Sequence, residues 1–264
     1  FMGMFIREKK IHCGKEHMEV DIYQLGDAHK KKSKSRKREQ VTAPAQKNLN
    51  DKRARRYMRQ LVKTNFTTGD LHISCTYRNS HLPDTLEDAE KEVSKFIRRI
   101  QYRRKKLSME PAKYIIITEG CCKKEKPVRI HHHIILSKMD RDLVEDLWRK
   151  PRQKGQKAGE RIGFCNVDRL QVDDDGGVNA LVNYLSKDPQ GRKRWRGSQN
   201  LIKPTFSTAD KKWTKKKLAM VAGVADEDRR FWEKQYPGWR MVTCESIYND
   251  ITGWSIYLEL RRME

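Results

Sequence analysis

From Gly69 onward the spacing of apolar residues switches between two and about 3.6, and each switch marks a change from strand to helix or back. In "DLHISCTY", Leu71, Ile73, Cys75 and Tyr77 share one face, the pattern of a half-buried strand. "PDTLEDAEKEVSKFIRRI" opens with Asp84 three residues before Glu87, a capping-box type start, and Leu86, Ala89, Val93, Phe96, Ile97 and Ile100 then follow helical spacing. "AKYIIITEG" is a short β-rich run, "KKEKP" a polar turn and "VRIHHHIILS" the next strand, so the two runs read as a hairpin. Asp140 starts a helix carrying Leu143, Val144, Leu147 and Trp148. "GFCNVDRLQV" is another strand, and after "DDDGG" the segment "VNALVNYLSKD" is a short helix.

The first six of these elements stand in the ferredoxin-like order, which predicts an α+β fold: an antiparallel sheet with helices on one face. Residues 66–190 are assigned to this domain. Residues 1–65 form a basic N-terminal extension containing a strand, a charged loop and a helix. In that helix, "AQKNLNDKRARRYMRQLVKTNF", the expected apolar stripe is Leu49, Tyr57, Leu61 and Val62. Residues 191–264 form a C-terminal extension with a basic aromatic loop, a helical stretch ending near "DRRFWEKQY" and the β-like "GWSIYLEL". The fold hosts many functions and selects none.

Charge narrows the partners. Lys and Arg number 58 against 35 Asp and Glu, a formal charge of +23, which favours a polyanionic partner, nucleic acid before an anionic membrane surface. No run of 18 apolar residues and no signal-peptide pattern occurs, so the expectation is no membrane and a cytoplasmic location, in a bacterial host cell. The chain starts at Phe1 rather than Met, which leaves room for residues ahead of it. The six cysteines contain no Cys-x-x-Cys pair. Cys75 and Cys165 sit among apolar residues and read as buried thiols in a reducing setting. The block "HKKKSKSRKRE" (His29–Glu39) reads as a solvated charge run, with a phosphate-contacting arm as the alternative. No P-loop motif is present.

Three consecutive histidines sit inside the apolar run "VRIHHHIILS". On a strand, Ile130, His132, Ile134 and Leu136 point one way, and Arg129, His131, His133, Ile135 and Ser137 the other. The first set faces the core. The second places two imidazoles side by side, which equally suits a polar strand face or a metal site. Glu119 ends the preceding strand on the face of Ile115 and Ile117, and so is able to join them. Two His and one carboxylate leave open positions, as a catalytic ion requires, and suit Mg²⁺ or Mn²⁺. Zinc stays open as the less favoured alternative, because Cys121 and Cys122 are near.

In "VNALVNYLSKD" the stripe Val178, Leu181, Val182 and Leu185 leaves Tyr184 and Lys187 together on another side. A surface tyrosine beside a lysine is a common pairing. Combined with a metal, however, the pair suits phosphoryl transfer, since a tyrosine of pKa near 10 needs a cation and a polarised phosphate to attack.

The series "HISCTY", "ITEG", "IHHHIIL" and "NYLSK" resembles the motifs of the HUH (His–hydrophobic–His) endonucleases. It is most similar to rolling-circle replication initiators of phages and plasmids, of the filamentous-phage replication-associated type. The likeness covers Gly69 to Asp188, about half of the chain. It implies His131, His133 and Glu119 as metal ligands, Tyr184 as nucleophile, Lys187 as its helper, and Mg²⁺ or Mn²⁺ as cofactor. It implies a single-stranded DNA substrate at an origin hairpin, a 5′-phosphotyrosine with a free 3′-hydroxyl, and host partners including a separate helicase and polymerase. His132 departs from the aliphatic or aromatic middle residue, and one tyrosine stands where some initiators carry two.

Arg129 and the loop residues Lys193, Arg194, Trp195 and Arg196 are the expected nucleic-acid contacts, cations set around an aromatic that stacks on bases. A tryptophan packed under a basic loop is the plainer alternative. A relaxase or single-tyrosine transposase shares the chemistry, although relaxases usually carry the tyrosine ahead of the histidines. A non-catalytic nucleic-acid-binding regulator on the same fold would not need Tyr184.

Overall fold

In a computed structural model of the chain, residues 4–26, 44–121, 128–171, 195–224 and 228–263 are described. The chain divides into two units. One takes in the described parts of Phe1–Thr64 and Ile202–Glu264, the other those of Asn65–Asp173 and Gly177–Leu201. The His29–Glu39 charge block lies outside the described residues. Among the described residues the architecture is α+β, with two five-stranded antiparallel sheets and five α-helices.

The first unit begins with a hairpin of β1 (Met4–Cys13) and β2 (His17–Gly26), where the sequence suggests a single strand. Its helix α1 spans Pro44–Asn65. The chain's last part supplies β8 (Thr205–Ala209), α4 (Lys215–Ala222), α5 (Arg229–Gln235), β9 (Trp239–Asn249) and β10 (Gly253–Arg262). Strand order is β8–β1–β2–β10–β9, so the two ends of the sequence share one sheet. Val20, Ile22, Leu258 and Leu260 pack with Trp213, Leu218 and Trp232 in one core. On the opposite face α1 meets polar residues: Arg56 donates to Glu19 (2.7 Å) and Gln60 to the same carboxylate (2.7 Å), while Lys63 pairs with Glu259. The buried apolar residues of α1 are Met58, Leu61 and Val62, whereas Leu49 and Tyr57 are exposed. The inward stripe is therefore rotated from the expected one. Met58 is the inward neighbour of Leu61 and Val62 at helical spacing.

The second unit is the ferredoxin-like part. Its order is β3 (Leu71–Cys75), α2 (Leu86–Lys106), β4 (Tyr114–Cys121), β5 (Val128–Leu136), α3 (Arg141–Asp146), β6 (Cys165–Arg169), with β7 (Arg196–Gly197) added at an edge. The sheet runs β6–β3–β5–β4–β7 and every pairing is antiparallel. Ile73, Cys75, Ile116, Ile134 and Leu136 meet Val93, Phe96, Ile97 and Ile100 of α2 in a single core. Fully burying each such side chain contributes about 1.5–3 kcal/mol. The N-cap of α2 is Thr85 rather than Asp84: the Asp88 backbone N–H donates to Thr85 Oγ1 at 3.1 Å, and Thr85 Oγ1 in turn donates to Asp88 Oδ2 at 2.7 Å. A hydroxyl able both to accept and to donate satisfies the helix end better than a carboxylate one residue earlier. Asp140 caps α3, as its position suggests. Beyond β3, Thr76 N–H donates to Phe164 O, and the chain passes so close that a Cβ on Gly163 would lie 2.0 Å from Thr76 O. Cys75 and Cys165 are buried free thiols, with sulfurs 3.5 Å apart.

Candidate metal centre

The β4–β5 register sets the site. Glu119 pairs with His131, Thr118 with His132 and Ile117 with His133. Residues directly opposed in an antiparallel pair put their side chains on the same face. Glu119, His131 and His133 therefore share one face, and Thr118 and His132 the other.

On the first face, His131 Nε2 lies 3.4 Å from Glu119 Oε2, and one ligand atom from each of Glu119, His131 and His133 falls within 4.8 Å of the others. His131 Nδ1 is 2.8 Å from the carbonyl of Arg129. A carbonyl only accepts, so Nδ1 carries a proton, and in the neutral ring Nε2 keeps its lone pair toward Glu119. The Glu119 carboxylate raises the His131 pKa, against the lowering effect of burial. Burial, with His131 and His72 nearby, pushes His133 down to about 4, so it is neutral at physiological pH. The imidazoles of His131 and His133 stand edge to face, centroids 5.0 Å apart.

Two residues that sequence reasoning passes over support His133. Strand β3 pairs Ser74 with His133 and His72 with Ile135. Ser74 Oγ is 3.2 Å and His72 Nε2 3.3 Å from His133 Nδ1, and the His72 and His133 rings stack at 12° with centroids 5.4 Å apart. The signal is present in "DLHISCTY": once Leu71, Ile73 and Cys75 face the core, His72 and Ser74 must share the other face. Which strand lies beside them is a matter of register, which alternation alone does not set.

His132 faces inward. It is fully buried, with Tyr77 Oη 2.6 Å from Nε2 and Thr118 Oγ1 2.9 Å from Nδ1, beside Trp148. Burial pushes its pKa down to about 3. Both ring nitrogens are thus engaged in the core, and His132 takes no part in the three-residue cluster.

The expected nucleic-acid contacts are dispersed. The exposed Arg129 donates to Tyr77 O and Asn79 Oδ1, both at 2.8 Å. Trp195 is half-buried, just ahead of β7. Arg196 belongs to β7, and its guanidinium donates to Ser94 Oγ (3.1 Å) and Glu90 O (3.3 Å) on α2. Part of the expected loop is therefore an edge strand. Tyr184, Lys187, Lys193 and Arg194 lie outside the described residues. Among the described residues no helix is long and apolar enough to cross a membrane.

Residues 70–189 match the family model for replication-associated protein ORF2, the gene 2 protein family. The matched segment starts just before β3 and includes the β4–β5 hairpin with Glu119, His131 and His133. This is the kind of protein that the motif series resembles, and it ties the segment to DNA replication and supports an initiator role. No curated protein and no solved structure matches the chain.

Proposed function

We propose that the chain is a replication initiator that opens one DNA strand by tyrosine transesterification. The observation that carries this reading is the convergence of Glu119, His131 and His133 on one face of a hairpin, inside the segment similar to replication-associated proteins. Two imidazoles and a carboxylate fit Mg²⁺ or Mn²⁺, and three protein ligands leave room for a phosphodiester, unlike the closed four-ligand set of a structural zinc site. A divalent cation held there supplies Lewis-acid polarisation of a phosphate oxygen.

The chain's own residues do the rest. His131 presents Nε2 because its Nδ1–H is held by the Arg129 carbonyl. Tyr184 Oη is assigned the attack: the Oη–P bond forms, the P–O3′ bond breaks, and the leaving oxygen becomes a free 3′-hydroxyl. The tyrosine proton passes to solvent, and Lys187, three residues on, steadies the charge on phosphate and phenolate. The 5′-phosphotyrosine keeps the phosphoryl group activated, so a 3′-hydroxyl reverses the step without ATP. Arg129, Lys193, Arg194 and Trp195 are assigned to the strand. Arg196 is the weakest member of that set, its guanidinium being engaged by α2. The substrate is single-stranded DNA at an origin hairpin, unwound and extended by a separate helicase and polymerase of the host. With one tyrosine, completing a circle requires a second subunit or another nucleophile.

The test is cleavage of end-labelled single-stranded origin DNA by the full chain in Mn²⁺ or EDTA. Cleavage only with the metal, reduced at least ~100-fold in His131→Ala and Glu119→Ala while DNA binding in EDTA persists, is the expected result. Metal-independent binding with no cleavage would instead favour the non-catalytic regulator.

A further inference from the structure

Helix α2 is uncompensated in charge along its second half. In the first half the cations are paired: Lys91 with Asp88 and Glu87, and Lys95 with Glu92. From Arg98 to Lys106 the exposed cations Arg98, Arg103, Lys105 and Lys106 have no carboxylate within 4 Å among the described residues. The helix dipole accounts for cations in the last turn, from Arg103 onward, but not for Arg98, more than a turn earlier.

These residues border a groove of about 580 Å³ between α2 and α3, lined by Arg98, Arg99, Tyr102, Arg103, Asp146 and two leucines. The acid in it is already neutralised, since Asp146 is held by Arg149 at 2.6 Å. Arg99 forms the floor, donating to Leu147 O at 3.0 Å, and its buried Nη2 lies 3.7 Å from Glu92 Oε1, an ion pair beyond hydrogen-bond reach. Tyr102 is 63% exposed at the rim, with Lys106 Nζ 5.4 Å from its ring centroid. α2 packs on the core face of the sheet, whereas Glu119, His131 and His133 lie on the other.

We propose that this groove is a second site for single-stranded nucleic acid, separate from the metal centre. Arg98 and Arg103 would contact successive phosphates, and Tyr102 would stack a base. Cations flanking an exposed aromatic over an apolar wall are what a sequence-tolerant single-strand groove needs. A strand held here is on the opposite face of the sheet from the scissile phosphate, so the site retains DNA without competing for the cleavage centre.

The inference does not rest on the cleavage reaction and is tested without it. Binding of the full chain to a fluorescent thymidine strand of about 30 nucleotides, and to a duplex of equal length, is measured in EDTA across a salt series. Arg98→Ala/Arg103→Ala should weaken single-strand binding about tenfold and flatten the slope of log affinity against log salt by about 0.7 for each phosphate no longer neutralised. Tyr102→Ala should weaken single-strand binding about tenfold and leave duplex binding unchanged. Lys91→Ala, a paired cation on the same helix, should change neither. Unchanged single-strand affinity in the arginine variant overturns the proposal. So does a Tyr102→Ala variant that binds the strand as tightly as the parent, because the groove would then be only a diffuse electrostatic surface.

Discussion

His131 Nε2 and Glu119 Oε2 face each other at 3.4 Å across a register pair of the β4–β5 hairpin. Without a metal, the carboxylate holds a proton on the imidazole. With one, both groups turn to the cation, so metal and proton compete for the same atoms.

This competition sets a pH window. The His131 pKa is raised above its ordinary 6.5, while that of His133 is lowered to about 4. Metal affinity should therefore fall as pH drops through the His131 titration, with His133 still neutral. The linkage has a definite sign in the apo protein: a raised folded-state pKa stabilises the fold below about pH 6.5, and that contribution is lost as pH rises through the folded value. Glu119→Gln should move the His131 titration downward. Imidazole NMR titrations and calorimetric Mn²⁺ binding between about pH 5.5 and 8 check both statements.

His132 behaves oppositely, because it must stay neutral to remain buried between Tyr77 and Thr118. With its pKa pushed down to about 3, its contribution to stability is lost as pH falls from its unfolded value near 6.5 toward 3. His132→Ala should cost about 2–4 kcal/mol, through a cavity and two stranded hydroxyls, yet leave Mn²⁺ affinity within about threefold. His131→Ala should do the reverse. Urea unfolding and metal titration of the two variants separate the roles.

Arg104 sits beside the groove arginines in sequence but serves the fold. It is buried, donating from Nε to Glu110 O at 2.7 Å and from Nη1 to Lys138 O at 2.8 Å. Arg104→Ala should destabilise the chain by about 3 kcal/mol, because two or more backbone carbonyls lose a charged donor. Arg103→Ala should stay within about 0.5 kcal/mol. Thermal melts of the two variants read the difference.

Much of the second unit is legible in the sequence because its code is local. The period-two spacing of Leu71, Ile73 and Cys75 and the helical spacing of Val93, Phe96 and Ile100 each specify an element and its buried face. The same parity argument separates His132 from His131 and His133 before any coordinates. What parity does not carry is register, so it leaves out His72 and Ser74 beside His133. Nor does it carry pairing between distant segments: β2 meets β10 across almost the whole chain. The inward face of α1 is hidden for another reason, being largely ionic. Arg56, Gln60 and Lys63 look solvent-directed in a sequence and only the strand partners Glu19 and Glu259 reveal otherwise.

The central claim is a covalent bond between one tyrosine and DNA, and peptide mapping reads it directly. The full chain is incubated with single-stranded origin DNA and Mn²⁺, digested with nuclease and trypsin, and the nucleotide-bearing peptide is sequenced by mass spectrometry. The account predicts the adduct on Tyr184, and none in His131→Ala or in EDTA. An adduct on any other residue, or metal-dependent cleavage with no covalent intermediate on Tyr184, would contradict it.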